Sequence, residues 1–356
     1  MSSSVRRSRM ASAFNVMYTN AVYWPNHSIY NGNTPADLNY GCINRVYYAF
    51  ATVTVDGGVF LSDEWADARA PCDGVQGALG SLMHLKQRYP HLQVVLSIGG
   101  GASSETFPVV ASNAILRDNF ARSARGLVEA SGLDGIDIVW EYPCTPQQGN
   151  DFLALLAAIR IHLPEDRFLL TAALPAARPV LQTIDLRRAA EYLDAVNLTA
   201  YDFYGPWTHR TGHHAQLYSM VKDEPSVASG VHYLMASGVP GRKILIGIPL
   251  FGRSFLHVSG PGHKNRGAGG QDGLFEYKQL PRRGTKELVD KRAVAAQCVG
   301  GDGGFVTYDN PDTVRVKAAF CKQKGLGGLF YWSAPSDAKD SKRSLITTGF
   351  KTLHSS

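Results

Sequence analysis

A chain of 356 residues that is 44% hydrophobic and 19% charged can bury a large core, which excludes a disordered or fibrous protein. The formal net charge of +6 is mild, and its denser spots, Arg6-Arg7-Ser8-Arg9 and Arg282-Arg283-Gly284-Thr285-Lys286, lack the interleaved aromatics and fold signals of nucleic-acid binders. No apolar run reaches the roughly 18–20 residues of a membrane span. Neither nucleic acid nor a membrane is an expected partner.

The opening Met-Ser-Ser-Ser-Val-Arg-Arg-Ser-Arg is basic but has no apolar stretch behind it, so no signal peptide is visible and residues 1–13 read as a disordered tail. Strand-like apolar runs then recur at Phe14–Thr19, Ile43–Val53, Gln93–Gly100, Gly135–Glu141, Phe168–Leu174, Ala195–Tyr201, Ile244–Leu250 and Gly327–Trp332. Helical spacing between them is clearest at Asp151–Leu163, where Phe152, Leu155, Leu156 and Ile159 share a face and Pro164 stops the helix, and at Thr313–Lys324. Eight strands alternating with helices predict an α/β fold, a closed (β/α)8 TIM barrel over residues 14–255 and 305–356. The interval from Ile244 to Gly327 exceeds what one helix and two loops need. Its Gly-rich excess, residues 256–304, reads as a small α+β insertion between strand seven and helix seven, because Leu274–Tyr277 and Glu287–Cys298 keep strand and helix character.

Cys42, Cys72, Cys144, Cys298 and Cys321 show no paired short spacing, which argues against a disulfide scaffold and a zinc site; an odd count leaves a free thiol, and single buried cysteines are expected. His209, His213 and His214 have no Asp/Glu/Cys set around them, and the glycines at 99–101 have no P-loop sequence behind them. No metal or cofactor is expected. Asn26-His27-Ser28 is a glycosylation sequon that matters only for a secreted protein.

The chemistry concentrates in Leu-Asp-Gly-Ile-Asp-Ile-Val-Trp-Glu-Tyr-Pro, residues 133–143. Ile136, Ile138 and Trp140 alternate with Asp137, Val139 and Glu141, so one strand face is apolar and the other carries acid, valine, acid at about 6–7 Å per two-residue step. Two acids on one face, with Pro143 stopping the strand, point to acid chemistry at a strand's carboxyl end. Charged residues are rarely buried without a partner, which counts against two incidental acids. Asp134, at the strand's entrance, is expected to bond backbone.

This run resembles the strand-four signature D-G-x-D-x-D-x-E of the family 18 glycoside hydrolases, the chitinases, with Val139 where the family has its third Asp. Val95-Leu96-Ser97-Ile98-Gly99-Gly100 is similar to the family's S-x-G-G motif. Thr199-Ala200-Tyr201-Asp202-Phe203-Tyr204-Gly205 is similar to M-x-Y-D, with Thr199 in place of Met. Ile248–Phe255 and Gly327-Gly328-Leu329-Phe330-Tyr331-Trp332 resemble strands seven and eight. The overall flavour, including Ala21-Val22-Tyr23-Trp24, is closest to fungal members. The resemblance implies an extracellular protein whose partner is chitin or chitin oligosaccharides, with a cytoplasmic location or unconventional export left open by the lack of a visible signal peptide; a monomer is expected, and the positive charge disfavours a cationic, deacetylated glycan.

The resemblance further implies a retaining, substrate-assisted hydrolysis of β-1,4 linkages, in which the sugar's 2-acetamido oxygen attacks the anomeric carbon while Glu141 protonates the leaving oxygen. Tyr201 would donate to the acetamide oxygen and Trp332 would floor the subsite. Asp137, Ser97 and Tyr18 would form a supporting hydrogen-bond layer. Trp207, Tyr204, Asp202, Tyr48, Gly100 and Arg253 complete the expected substrate-binding set. Val139 neither accepts a hydrogen bond nor carries charge, so hydrolysis is expected to fall much further than binding. Two other readings stay open: an active chitinase, with Asp202 compensating or with Asp present in the natural form, and a lectin-like protein for another glycan.

Overall fold

The computed structural model describes residues 17–355; the expected tail at 1–13 lies outside them. Eight parallel strands form the centre: β1 (Thr19–Pro25), β2 (Arg45–Val53), β3 (Gln93–Gly99), β4 (Gly135–Val139), β5 (Leu169–Pro175), β6 (Ala195–Thr199), β7 (Ile244–Pro249) and β8 (Gly328–Trp332). Each pairs with the next, and β8 pairs back onto β1 with Ala21 beside Phe330, so the sheet closes into a barrel. Helices such as Ala114–Ser131, Pro146–His162 and Pro311–Gln323 lie between consecutive strands.

The first strand departs from the expectation of Phe14–Thr19: residues 14–16 lie outside the described part, and the strand runs Thr19–Pro25. Asn20 to Pro25 are all buried, as in a barrel strand covered on both faces, so period-2 alternation is a poor guide there. Asn20, the polar residue in that run, is fully buried and donates from Nδ2 to the carbonyls of Cys42 and Ile346.

Alternation within each strand assigns one face to the outer core and one to the barrel interior. Trp24, Tyr48, Leu96, Ile136, Ile138 and Trp140 belong to the outer core, under the helices. Tyr23, Tyr47, Val95, Val139, Ala173, Leu245 and Phe330 pack inside. The strand register places Ser97, Asp137 and Thr171 side by side on β3, β4 and β5. At the middle of the interior the fully buried Asp137 carboxylate accepts four hydrogen bonds: Oδ2 from Tyr23 Oη (2.7 Å) and Ser97 Oγ (2.9 Å), Oδ1 from Thr171 Oγ1 (2.6 Å) and Asn197 Nδ2 (3.2 Å). Asn197 in turn accepts from Tyr47, whose hydroxyl accepts from Arg45, and Arg45 is anchored on Gln93. Burial pushes the Asp137 pKa up, against the pull of the hydrogen bonds from Thr171, Tyr23 and Ser97.

Asp134, at the amino end of β4, accepts from the Val94 backbone N–H (2.7 Å) and from Lys86 Nζ (2.7 Å), which stitches β3 to β4. Asn26 of the sequon is buried and donates from Nδ2 to Ser62 (2.9 Å) and Asp67 (3.0 Å), so a glycan there would replace one of the two N–H donors this pair of bonds needs. All five cysteines are free, four of them buried and Cys144 exposed.

The inserted lobe is an antiparallel sheet in the order Leu274–Glu276, Phe251–Phe255, Gly304–Tyr308, Ala295–Gly300, Glu287–Asp290. It starts directly after β7 and runs to Tyr308, wider than the expected 256–304, because Phe251–Phe255 continues the apolar run of β7 yet pairs into the lobe. The expected helical character of Glu287–Cys298 is absent: this stretch forms two strands paired antiparallel, and the turns flanking it are 3-10. The lobe is locked to the barrel by a fully buried ion pair, Lys317 Nζ to Asp309 Oδ2 at 2.6 Å, with a further bond from Lys317 Nζ to the Ala215 carbonyl.

Two stability predictions follow from these buried networks. Asp137→Ala strands four donors inside the barrel and is expected to cost at least about 3 kcal/mol, whereas Ser97→Ala, which leaves three donors on the carboxylate, should cost about 1 kcal/mol. Equal midpoint shifts for the two variants in urea would contradict the ranking. Lys317→Met removes one partner of a sealed ion pair and is expected to cost about 3–5 kcal/mol, measured the same way; a loss under about 1 kcal/mol would show that Asp309 finds another partner.

Candidate functional site

At the carboxyl end of the strands the barrel opens into a cleft of ≈ 510 Å³ lined by Val139, Glu141, Tyr201, Asp202, Arg253 and Trp332, with Tyr23, Phe50, Tyr142, Ala173 and Phe251 among the other walls. Strand β4 ends at Val139, two residues earlier than the alternation suggested. Asp137 therefore lies sealed beneath, Val139 reaches the cleft floor nearly buried (5% exposed), and Glu141 emerges just past the strand. The Glu141 backbone N–H donates to Ser104 Oγ (2.8 Å), which fixes the departure of the chain.

Glu141 is open to solvent at the mouth, yet its carboxylate sits far enough inside for desolvation to push its pKa up, helped by the negative charge of Asp202. Among the described residues the carboxylate has no hydrogen-bond partner. Burial, with the charge of Asp202 next, raises the Tyr201 phenol well above its ordinary range, so it remains a donor. Asp202 sits in left-handed backbone (φ 61°) and both its oxygens are taken by Arg253, Nε to Oδ1 at 2.7 Å and Nη2 to Oδ2 at 2.9 Å. Burial alone would raise the Asp202 pKa; the neighbouring His214 ring and the hydrogen-bonded Arg253 guanidinium outweigh it and hold the carboxyl low. The guanidinium of Arg253 lies between Trp207 (4.9 Å to the ring centroid) and Phe251 (5.2 Å). Trp332 stacks on Phe50, with centroids 5.6 Å apart, and leans on Tyr23.

Glu141, Val139, Tyr201, Asp202, Arg253 and Trp332 thus meet in one cleft, with Asp137 and Ser97 in the layer beneath. Four other expected positions lie elsewhere. Tyr18 precedes β1 at the amino end of the barrel, against His354, and the hydroxyl on Asp137 belongs to Tyr23. Tyr48 points to the outer face, donating to Asp67 and stacking on Trp24, because its neighbour Tyr47 takes the interior position. Tyr204 is turned onto Glu224 and backs against Gly212. Gly100 (φ +75°) supports Phe50: a Cβ there would meet that ring at 2.8 Å, so glycine is required by the close approach rather than by a ligand. Trp207 is 59% exposed and contributes by covering Arg253 at the rim of the cleft.

Sequence reasoning missed Tyr23, Phe50, Tyr142 and Phe251 as wall residues, and Thr171 and Asn197 as donors to Asp137. Tyr23 was within reach through the Ala-Val-Tyr-Trp run; the donors depend on cross-strand register, which no local pattern contains. His213 and His214 are buried: His213 Nδ1 pairs with Thr307 Oγ1 (2.9 Å), and the His214 ring leans on Phe251 with its Nδ1 toward the Asp202 backbone N–H.

With this geometry established, comparisons with known proteins give a consistent picture. The family model "Glycosyl hydrolases family 18" matches residues 19–337. Chitinase 1 of Aphanocladium album is 35% identical over 366 residues, spanning 95% of this chain and 86% of the fungal protein. Endochitinase 1 of Metarhizium robertsii is 35% identical over 364 residues, spanning 94% and 85%. Among solved structures, the GH18 chitinase of Cycas revoluta in complex with (GlcNAc)3 superposes with a TM-score of 0.83 at 28% identity, over 93% of this chain and 98% of that one. The family model over most of the chain and the two fungal relatives show that this chain, with its closed barrel and the acid at its mouth, belongs to glycosyl hydrolase family 18.

Proposed function

We propose that the cleft binds chitin oligosaccharides and that Val139 leaves it a poor hydrolase. The observation that carries this reading is the apolar side chain on the cleft floor between the sealed Asp137 and the free acid Glu141. Glu141 has the environment of a general acid: desolvation and a neighbouring negative charge favour its protonated form. Tyr201 is a donor aimed into the same space, and Trp332 with Phe50 offers a flat apolar surface for a sugar ring. Relatives named as chitinases, and one solved with (GlcNAc)3, support N-acetylglucosamine polymers as the ligand.

What the floor lacks is an acceptor for the acetamide N–H of a bound sugar. In a substrate-assisted reaction that acceptor orients the attacking oxygen and offsets the positive charge that grows on the acetamide. Asp202 is poorly suited to replace it, since Arg253 occupies both of its oxygens. Aromatic contacts and peripheral hydrogen bonds, which dominate ground-state binding, do not depend on Val139. Affinity therefore survives where turnover does not.

Calorimetric titration with N-acetylglucosamine oligomers is expected to show binding; no heat with any oligomer would remove the basis of the reading. Val139→Asp restores the acceptor in a side chain of similar size and is expected to raise kcat on chitin oligomers by at least about 10²-fold, with affinity changed far less. Turnover of the unaltered protein near that of its chitinase relatives, or a folded Val139→Asp protein that stays inactive, would contradict this. In the Val139→Asp background Glu141→Gln should abolish the gain. The rate there should fall as pH rises, because the raised pKa of Glu141 keeps the acid protonated at lower pH and an added acid raises it further. A rate that climbs steadily through neutral pH would exclude Glu141 as the proton donor.

A further inference from the structure

Burial, with the negative charge of Asp202 second, raises the Glu141 pKa, and the position of Asp202 rests on a left-handed turn (φ 61°) that is open to aspartate and gains support from a neighbour. The support comes from His214. The backbone N–H of Phe203 donates to the His214 carbonyl (3.0 Å), and that of Asp202 points at His214 Nδ1 (3.4 Å). No other acceptor for the Asp202 N–H occurs among the described residues. The ring is fully buried, and its Nε2 has no partner among the described residues.

The proton on this ring can be placed by counting orphaned groups. With the proton on Nε2, Nδ1 accepts from the Asp202 N–H and only the Nε2–H is unpaired. With the proton on Nδ1, the Asp202 N–H and the Nε2 lone pair are both stranded, and the proton faces Asp202 Oδ1 at 3.6 Å, beyond hydrogen-bond reach. We infer that His214 is a positioning residue: as a neutral imidazole protonated on Nε2, it holds the Asp202 turn through Nδ1 and so sets the Asp202–Arg253 clamp over Glu141. Protonation of the ring would convert Nδ1 from acceptor to donor and release the Asp202 N–H. The charged and titratable groups facing the ring are Asp202, Arg253, Asp309 and His213. Burial, the largest influence, lowers the imidazole pKa and outweighs the opposing pull of Asp202, so this release falls below the ordinary histidine range.

The test has two arms, of which only the second rests on the chitin reading. Long-range 1H–15N correlation spectra of the labelled full chain are expected to show His214 protonated on Nε2 alone at neutral pH; a proton on Nδ1 would overturn the assignment. In titrations with the N-acetylglucosamine pentamer, His214→Leu should weaken binding about tenfold, while His214→Asn, whose side-chain oxygen replaces the Nδ1 acceptor, should stay near the unaltered protein. The unaltered protein should lose affinity on acidification in step with the His214 15N titration, and His214→Asn should lack that component. Full affinity in a folded His214→Leu variant, or the same pH profile in His214→Asn, would overturn the proposal. If His214→Leu fails to fold, His214→Asn and the spectra decide. If the unaltered protein binds no pentamer, the chitin reading falls and the spectra alone judge His214.

Discussion

The Asp137 carboxylate is the interaction around which the barrel interior is organised. A buried charge is tolerable only when its oxygens are occupied, and here the occupants come from four other strands: Tyr23 on β1, Ser97 on β3, Thr171 on β5 and Asn197 on β6, around Asp137 on β4. A slip of one residue in any of these strands would turn its donor to the outer face and leave the acid short of a partner. The network therefore sets strand phase, and strand phase decides that Val139 faces the cleft while Ile138 and Trp140 face the helices.

Above that layer the balance of charge is unusual for a cleft built around an acid. The oxygens of Asp137 are occupied by hydrogen bonds and those of Asp202 by a bidentate guanidinium, and Val139 contributes nothing electrostatic. Glu141 is left as an acid with free oxygens, desolvated and facing Asp202 across the cleft. Its raised pKa and the aromatic wall of Trp332 and Phe50 are properties of the scaffold that persist without a third acid. Binding and proton donation are thus separable, in physical terms, from orientation of the nucleophile.

Much of the fold could be read along the chain because its signals are local. Apolar runs punctuated by Gly and Pro mark β2 to β8 within two residues, whereas the helices expected over Asp151–Leu163 and Thr313–Lys324 begin earlier, at Pro146 and Pro311, with Thr145 and Asn310 as their caps. The expectation of Phe14–Thr19 places the first strand too early, because it does not count the buried run Ala21–Trp24, which carries the strand, as one. The lobe's bounds escaped because Phe251–Phe255 looks like a continuation of β7 until its partners, Leu274–Glu276 and Gly304–Tyr308, are known.

The same division applies to the site. That Asp137, Val139 and Glu141 share one face of one strand, and that the middle position lacks a carboxylate, follow from residue spacing, since the two-residue period of a strand needs no partner to be true. Which tyrosine meets Asp137, that Tyr48 faces outward, that Arg253 holds both oxygens of Asp202, and that His214 lies under that turn are matters of register and closure. Those contacts join residues up to 114 positions apart, and no run of neighbouring residues records the pairing that brings them within hydrogen-bond distance.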